Sequence, residues 1–211
     1  MKTISILFSG RGSNAESIVS LIHSKKLNFY IKKIICNNKN ASGIEKIKKY
    51  GYEIEIIDSN LINDTINYNN ILKEKLLPKS SEYLLLCGYM MIIPSKLIQL
   101  FNGNIINIHP SLLPKYKGLN THEKVITNKD KYHGCTTHFV NNALDCGPMI
   151  AQSKIEVDSS DNKESVAKKL LPKEHQLFYK TLEMIENEEI KLVDNKVYYK
   201  NKILTSPLNF N

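Results

Sequence analysis

Arginine is almost absent from this chain, which holds 29 lysine and arginine residues in total but only one arginine, Arg11. The lysines are scattered, and no arginine-rich tract is present. Proteins that recognise nucleic acids favour arginine because its planar guanidinium makes paired hydrogen bonds to bases and phosphates. The net charge of +8 therefore does not indicate a nucleic-acid-binding protein. It also fits an anionic small substrate, or a compositional bias toward lysine, asparagine and isoleucine that has no functional cause.

Cysteine is sparse, and its spacing excludes two kinds of site. The four residues Cys36, Cys87, Cys135 and Cys146 form no C-x-x-C pair. Three of them lie in apolar, strand-like runs, where a reduced cysteine behaves as a small hydrophobic residue. A disulfide framework or a zinc ribbon is therefore not expected. None of the six histidines belongs to an H-E-x-x-H motif, so we predict no bound metal.

Long hydrophobic segments are also missing. No apolar run approaches the roughly 18 residues that a transmembrane helix needs. The N-terminal MKTISILFSG has too short an apolar stretch for a signal peptide. We therefore expect a cytoplasmic protein. Its content of 42% hydrophobic and 24% charged residues is ordinary for a globular protein.

The chain does contain a regular alternation of strand and helix patterns as far as residue 108. Short apolar strand patterns occur at 3–8, 30–36, 52–57, 83–90 and 104–108. Helical patterns lie between them, at 14–24, 42–51, 69–77 and 94–101. Because this alternation is typical of parallel sheets, we predict a Rossmann-like, doubly wound, mostly parallel sheet for the N-terminal half of an α/β fold.

The pattern changes in the C-terminal part. Strand patterns at 133–140 and 149–157 lack an intervening helix and predict an antiparallel pair. A long helical pattern follows, in which Pro172 is expected to cause a kink or mark an end. The last pattern is a hairpin around Asp194-Asn195. The C-terminal part thus combines antiparallel strands with a long helix.

No internal repeat or linker divides the chain. We therefore predict one domain over residues 1–211, made of the halves 1–108 and 109–211. The length is sufficient for a hydrophobic core of useful size.

The segment FSGRGSN at 8–14 joins the first strand to the first helix. Gly10 and Gly12 permit a tight turn, and Ser13 or Asn14 is predicted to cap the helix. Backbone amides and the positive helix end then form an anion site. The spacing lacks the full G-x-G-x-x-G motif, so a mononucleotide-type phosphate is favoured over NAD. An ordinary turn without a ligand is the alternative.

The segment NIINIHPSLLP at 104–114 ends an apolar strand with an amide and an imidazole. Asn107 and His109 are two residues apart, so both project from the same side of the strand. Asn107 offers amide donors, and His109 donates when it is protonated. Two such donors suit a developing oxyanion. A strand-end asparagine next to an unrelated surface histidine is the alternative.

Asp145 lies in the turn LDCGP at 144–148, between the two C-terminal strand patterns. A carboxylate near His109 would favour the protonated imidazole and fix its ring. The same residues also form a good turn without a catalytic role, and the sequence gives no distance between Asp145 and His109. We interpret His138 as structural, and Thr121 as a possible helix cap.

These segments, in this order and spacing, resemble the phosphoribosylglycinamide formyltransferases, a group within the folate-dependent formyltransferase family. The resemblance rests on FSGRGSN, GYMMI, NIHPSLLPKYKG, THF and LDCGP, and it covers the chain from Ile4 to about Tyr179. It implies transfer of the formyl group of the co-substrate 10-formyltetrahydrofolate to the amine of glycinamide ribonucleotide, in de novo purine biosynthesis. It also makes 1–108 the nucleotide- and phosphate-binding half and 109–211 the folate-binding and catalytic half of a formyltransferase domain.

The resemblance implies roles for individual residues. The catalytic trio would be Asn107, His109 and Asp145. The nucleotide would contact Gly12, Ser13, Asn14, Leu171, Pro172, Lys173 and Glu174. The folate would contact Thr65, Met90, Met91, Ile92, Ile93, Asn107, Asn141, Asn142, Ala143 and Leu144. Met91 and Thr65 stand where related enzymes carry arginine, a difference that concerns folate affinity and not the chemistry.

Two alternatives remain open. An enzyme that formylates methionyl-tRNA or hydrolyses formylfolate would share the trio. Those enzymes carry an additional C-terminal or N-terminal domain, for which this chain leaves no room. A non-catalytic nucleotide-binding module would explain the glycine-rich segment but not the trio. The expected partners are small molecules, without nucleic acid or membrane, and the expected assembly is a monomer or a homodimer.

Overall fold

The computed structural model describes residues 1–59, 62, 64–78 and 82–210. The chain divides into two compact units, Met1–Ile106 and Asn107–Asn211. The prediction of a single domain stays a prediction. Within the described residues, no helix is long and apolar enough to cross a membrane.

The first unit alternates strands and helices, as the sequence predicts. Its elements are β1 (Lys2–Phe8), α1 (Ser13–His23), β2 (Phe29–Cys36), α2 (Gly43–Lys48), β3 (Glu55–Ile56), α3 (Thr65–Leu76), β4 (Glu82–Leu86) and α4 (Ser95–Leu100). β1 pairs in parallel with β2 on one side and with β4 on the other, and β2 pairs in parallel with β3. The apolar side chains of β1 are fully buried, which explains its continuous hydrophobic run.

A further strand, β5 (Ile105–His109), begins in the first unit and ends in the second. Its start neighbours β4, where the Leu84 amide donates to the Asn104 carbonyl at 2.9 Å. Its end neighbours the first strand of the antiparallel pair described next. The strand therefore carries Asn107 and His109 into the second unit.

The second unit contains the predicted antiparallel strands and the long helix. Its elements are α5 (Thr121–Thr127), β6 (Tyr132–Phe139), β7 (Met149–Glu156), α6 (Lys163–Glu186), β8 (Ile190–Val193), β9 (Lys196–Tyr199), β10 (Lys202–Ile203) and β11 (Leu208–Asn209). β6 and β7 are antiparallel, and α6 packs against both. β8, β9 and β10 form a separate antiparallel sheet, and β11 pairs in parallel with β7. The predicted fold class is confirmed, whereas the short strands β10 and β11 were not predicted.

The predicted terminal hairpin is also confirmed. β8 and β9 are joined by Asp194 and Asn195, whose φ angles are 48° and 57°. Two consecutive residues with positive φ are the mark of the tight turn whose twist matches that of the flanking strands. Aspartate and asparagine tolerate this backbone region better than most residues.

Several predicted boundaries were wrong, each for a local reason. The strand predicted at 83–90 ends at Leu86, because Gly88 turns the chain with a φ of 71°. α3 begins four residues before the predicted 69–77, since the Asp64 side chain accepts the Ile66 amide at 2.8 Å and caps the helix. The strand predicted at 52–57 shrinks to the two residues of β3.

The long helix α6 does not end at Pro172, which lies inside it. The helix begins with a capping box, in which the Asn162 side chain accepts the Ser165 amide and the Ser165 hydroxyl accepts the Asn162 amide. One face is buried and includes Leu170, Leu177 and Phe178. Packing of this face outweighs the one backbone hydrogen bond that a proline removes.

Candidate active site

His109 occupies the last position of β5 and is buried, with 5% of its surface exposed. Its Nε2 donates to the Tyr116 carbonyl at 2.9 Å, so this nitrogen carries a proton. Its Nδ1 lies 3.4 Å from Asp145 Oδ2. A carboxylate oxygen only accepts hydrogen bonds, and Nδ1 matches it when it is protonated as well. Both ring nitrogens of His109 therefore face hydrogen-bond acceptors.

Asp145 comes from the loop between β6 and β7, and its backbone is left-handed with a φ of 48°. Its side chain is 8% exposed, and Oδ2 accepts the Gly118 amide at 2.8 Å. Gly147 permits this loop, since a Cβ there would overlap the Phe139 carbonyl. In the turn LDCGP, Gly147 therefore allows the backbone to pass close to the Phe139 carbonyl, and the turn directs the Asp145 carboxylate toward His109.

Asn107 is held by His138, a residue that the sequence assigned a structural role. His138 is 2% exposed, and burial lowers its pKa, so the ring is neutral. Its Nδ1 donates to the Phe139 carbonyl at 2.9 Å. Its Nε2 then accepts the Asn107 amide at 3.2 Å, which leaves the second amide hydrogen of Asn107 without a bond to any described residue.

His138 therefore contacts the predicted site, which its interpretation as a structural residue did not anticipate. Its Nε2 lies 3.7 Å from Asp145 Oδ1, so it faces two of the three predicted residues. The available signal was the segment THF at 137–139, which includes this histidine and supported the family resemblance. A strand histidine in isolation gave no reason to prefer a site over the core.

The structure thus brings together Asn107, His109 and Asp145 inside the second unit. The group contains an amide donor, an imidazole whose two nitrogens face acceptors, and a carboxylate beside them. The amide donor and the charge of a protonated imidazole fixed in this way can stabilise an oxyanion, and the carboxylate can balance that charge or carry a proton. Within the residues that the structure describes, no group of three or more histidine, cysteine, aspartate or glutamate residues could hold a metal ion.

The glycine-rich loop of the first unit joins β1 to α1. Gly12 is the N-cap, with a φ of 63°, and a Cβ there would lie 3.0 Å from the Gly43 Cα. The prediction that Ser13 or Asn14 caps the helix was wrong, because both lie inside α1 and no described side chain caps it. The helix start therefore presents backbone amides and its positive dipole end without a competing side-chain oxygen.

The remaining candidate nucleotide residues lie on one turn of α6. Leu171 and Lys173 are half-buried, Pro172 is exposed, and Glu174 is buried. Glu174 and Lys173 both act electrostatically on Cys135 of β6, so this turn packs near that strand. The contact of these residues with a ribose stays a prediction.

The candidate folate residues are divided between the two units. In the first unit, Thr65 is the exposed first residue of α3, Met90 and Ile92 are exposed, Met91 is half-buried, and Ile93 belongs to the core. The Met90 amide donates to the Ser9 hydroxyl at 2.8 Å, which ties this segment to the end of β1.

In the second unit, the folate candidates form the loop 141–144 after β6. Asn141 is half-buried, and its side-chain oxygen accepts the Ala143 amide at 3.0 Å. Asn142, Ala143 and Leu144 are exposed. An exposed leucine beside a structured asparagine turn is compatible with an apolar ligand surface, and the folate contact stays a prediction.

His133 of β6 is a buried histidine outside the trio. It is 1% exposed, and its Nε2 lies 2.9 Å from Nδ1 of His122 on α5. Burial first, and then the positive charge of His122 and His109, lowers the pKa of His133 from 6.5 to about 4. Thr121, the interpreted cap of α5, is instead its first helical residue, because Asn120 is the N-cap.

We predict that His133 makes folding sensitive to acid. Its pKa is lower in the folded state, so unfolded chains bind more protons between pH 6.5 and about 4. The stability of the folded state that depends on a neutral His133 is complete above pH 6.5, and it is lost as the pH falls from 6.5 to about 4. His133→Gln removes this difference of about one bound proton. The slope of the unfolding free energy against pH should therefore decrease by ~1.4 kcal/mol per pH unit between pH 6.5 and about 4.

The measurement is the urea unfolding midpoint of both proteins as a function of pH. His138 contributes to the slope of both, because its pKa is lowered too. His23→Gln, at an exposed position, controls for the loss of a histidine as such. Equal slopes for wild type and His133→Gln would show that folding does not lower the pKa of His133.

Comparisons with known proteins agree with this geometry. Residues 2–182 match the family described as formyl transferase. The phosphoribosylglycinamide formyltransferase of Haemophilus influenzae is 32% identical over 97% of this chain and 96% of its own length. The Escherichia coli enzyme of the same name is 28% identical over 92% of each chain. A solved structure of the phosphoribosylglycinamide formyltransferase from Coxiella burnetii has a TM-score of 0.91 and 28% identity, covering 100% of this chain and 99% of that one. The chain belongs to the formyl transferase family.

Proposed function

We propose that this protein transfers the formyl group of 10-formyltetrahydrofolate to the amine of glycinamide ribonucleotide, a step of de novo purine biosynthesis. The observation that carries the proposal is the meeting of Asn107, His109 and Asp145 in the second unit. The similarity to phosphoribosylglycinamide formyltransferases extends over nearly the whole chain and supports this substrate pair over others. We also propose that the protein is cytoplasmic and acts as a monomer or a homodimer.

The chemistry starts with the neutral amine of glycinamide ribonucleotide, which attacks the formyl carbon. A carbon–nitrogen bond forms, and the formyl oxygen becomes an oxyanion. The second amide hydrogen of Asn107 donates to this oxyanion, and the positive charge of protonated His109 stabilises it electrostatically, because both ring nitrogens of His109 already face Tyr116 and Asp145. The bond between carbon and folate N10 then breaks, and the proton lost by the amine is delivered to N10. These steps need no metal ion.

Asp145 has two parts in this mechanism. It lies 3.4 Å from His109 Nδ1 and stabilises the imidazolium that faces the oxyanion. It also serves, directly or through water, to move the proton from the attacking amine toward N10. His138 is a positioning residue, because it fixes the orientation of the Asn107 amide without needing to touch the substrate.

Ligand recognition is assigned by the same proposal. The first turn of α1, with Gly12, Ser13 and Asn14, binds the nucleotide phosphate through backbone amides. The turn 171–174 of α6 contacts the ribose. The segments 90–93 and 141–144, with Thr65, contact the folate.

We predict that Ser13→Asp raises KM for glycinamide ribonucleotide about tenfold or more, because it places a negative charge beside the phosphate at the helix start. Affinity for a folate analogue should hardly change. Ser13→Asn, which is neutral and of similar size, is the matched control. Isothermal titration with each ligand measures both affinities. Equal losses for the nucleotide and the folate analogue would place the phosphate elsewhere or indicate a misfolded variant.

The function itself is tested with purified protein and both substrates. Deformylated folate should appear when glycinamide ribonucleotide and 10-formyltetrahydrofolate are present together, and neither substrate alone should support the reaction. Release of formate without the nucleotide would indicate a hydrolase. Binding of the nucleotide without any turnover would indicate a binding module.

A further inference from the structure

An exposed thiol and an exposed amine meet beside the trio. All four cysteines lie within the described residues, and three of them are buried while Cys146 is exposed. The Lys117 Nζ lies 2.7 Å from the Cys146 Sγ. Lysine side chains commonly pair with a carboxylate. Lys117 has no carboxylate partner among the described residues, and its amine instead contacts the Cys146 sulfur. A nucleophilic amine therefore lies in contact with the one accessible thiol.

Both residues belong to the backbone segments that hold His109 and Asp145. Lys117 lies between Tyr116, whose carbonyl accepts from His109, and Gly118, whose amide donates to Asp145. Cys146 directly follows Asp145. Any covalent change at this pair would therefore act on the supports of His109 and Asp145 at once.

We propose that Cys146 is an oxidation-sensitive modification site, whose sulfenic acid condenses with the Lys117 amine to form a reversible sulfur–nitrogen cross-link. A hydroperoxide first oxidises the thiol. The peroxide O–O bond breaks, an S–O bond forms, and the reduced hydroperoxide leaves as water or an alcohol. Sulfenic acids are known to condense with thiols and with nitrogen nucleophiles.

The second step uses the neutral Lys117 amine, which has lost one proton to solvent. Its lone pair attacks sulfur, the S–N bond forms and the S–O bond breaks, and the leaving oxygen departs as water. Two equivalents of a small thiol reverse the reaction, which returns the cysteine and the lysine and forms one disulfide. The contact of 2.7 Å already places the reacting atoms together, so no large movement of either segment is required.

The cross-link is expected to lower turnover, because shortening the 2.7 Å contact to a covalent bond displaces the two segments whose hydrogen bonds hold His109 and Asp145. It ties 116–118 to the loop that carries Asp145, and Leu144 of the candidate folate loop lies two residues from the modified sulfur. The formation of the cross-link is independent of the proposed function, whereas its effect on formyl transfer depends on it. The two parts are therefore measured separately.

The experiment exposes the purified full-length protein to hydrogen peroxide in a mildly alkaline buffer. Intact mass and peptide mapping should find a species two hydrogens lighter, in which the peptides containing Lys117 and Cys146 are joined. A small thiol should restore the original mass. Formyl transfer should fall in proportion to the cross-linked fraction and recover with the thiol.

Two variants make the outcome decisive. Cys146→Ser should keep its activity during the peroxide treatment, because the three remaining cysteines are buried. Lys117→Arg keeps the positive charge but lacks the amine, so it should accumulate the sulfenic acid, one oxygen heavier and trappable by dimedone. A wild-type protein that carries the same oxygen adducts as Lys117→Arg and never the joined peptides would overturn the proposal. A joined species with full formyl transfer would overturn the link to turnover.

Discussion

His109→Ala is expected to lower kcat for formyl transfer by about 10²–10³-fold, the loss that follows removal of one preorganised group that stabilises an oxyanion. His109 is buried, its Nε2 is fixed by the Tyr116 carbonyl, and its Nδ1 faces Asp145. A positive charge held this firmly needs no reorganisation during the reaction. KM for either substrate should change much less than kcat, because the interaction arises mainly in the transition state.

The measurement is steady-state kinetics with each substrate varied in turn. His109→Gln is the graded control, since its amide can still donate to Tyr116 but carries no charge. It should lie between wild type and the alanine variant. If His109→Ala turned over at the wild-type rate while remaining folded, His109 would not belong to the chemistry.

Asp145→Asn is expected to reduce kcat by about 10²–10³-fold as well, for an electrostatic reason. The amide oxygen of asparagine can still accept the Gly118 amide, so the loop should keep its shape. The negative charge beside the His109 and His138 rings is lost, and with it the partner of the imidazolium and the proposed proton carrier. Binding of both substrates should be nearly unchanged.

The matched control is Asp158→Asn, the same substitution at an exposed carboxylate that pairs with Lys169. Its kcat should equal that of wild type. Thermal unfolding of both variants verifies that they are folded. An Asp145→Asn protein with unchanged kcat and raised KM would make Asp145 a binding residue and remove it from the proton path.

Strands that are marked by a continuous apolar run were predictable from the sequence, but the point at which such a strand ends was less so. β1 and β2 begin only one residue earlier than predicted. Their positions were predictable because a continuous apolar run indicates a buried strand whatever surrounds it. β4 ended early, since its apolar run continues past a glycine that turns the backbone. Apolarity alone does not distinguish a strand residue from an exposed methionine such as Met90.

The site was only partly predictable, because its supports are not local. The residue types of the trio were visible in the sequence. The contact between His109 and Asp145, however, forms only when β6 is folded and the loop between β6 and β7 places Asp145 beside His109. The Tyr116 carbonyl and the Gly118 amide that hold these side chains are backbone groups, and no side-chain pattern identifies them. The role of His138 depends on which ring nitrogen carries the proton. Burial and hydrogen-bond partners determine this position, and the sequence shows neither of them.

The most direct test of the account follows the formyl carbon itself. Purified protein is given 10-formyltetrahydrofolate with an isotopically labelled formyl carbon, together with glycinamide ribonucleotide, and the products are observed by carbon NMR. The label should appear as the formamide carbon of the nucleotide product, in step with the loss of the folate signal, and Asp145→Asn should slow this transfer strongly. Label that appears as free formate at the same rate with or without the nucleotide would contradict it.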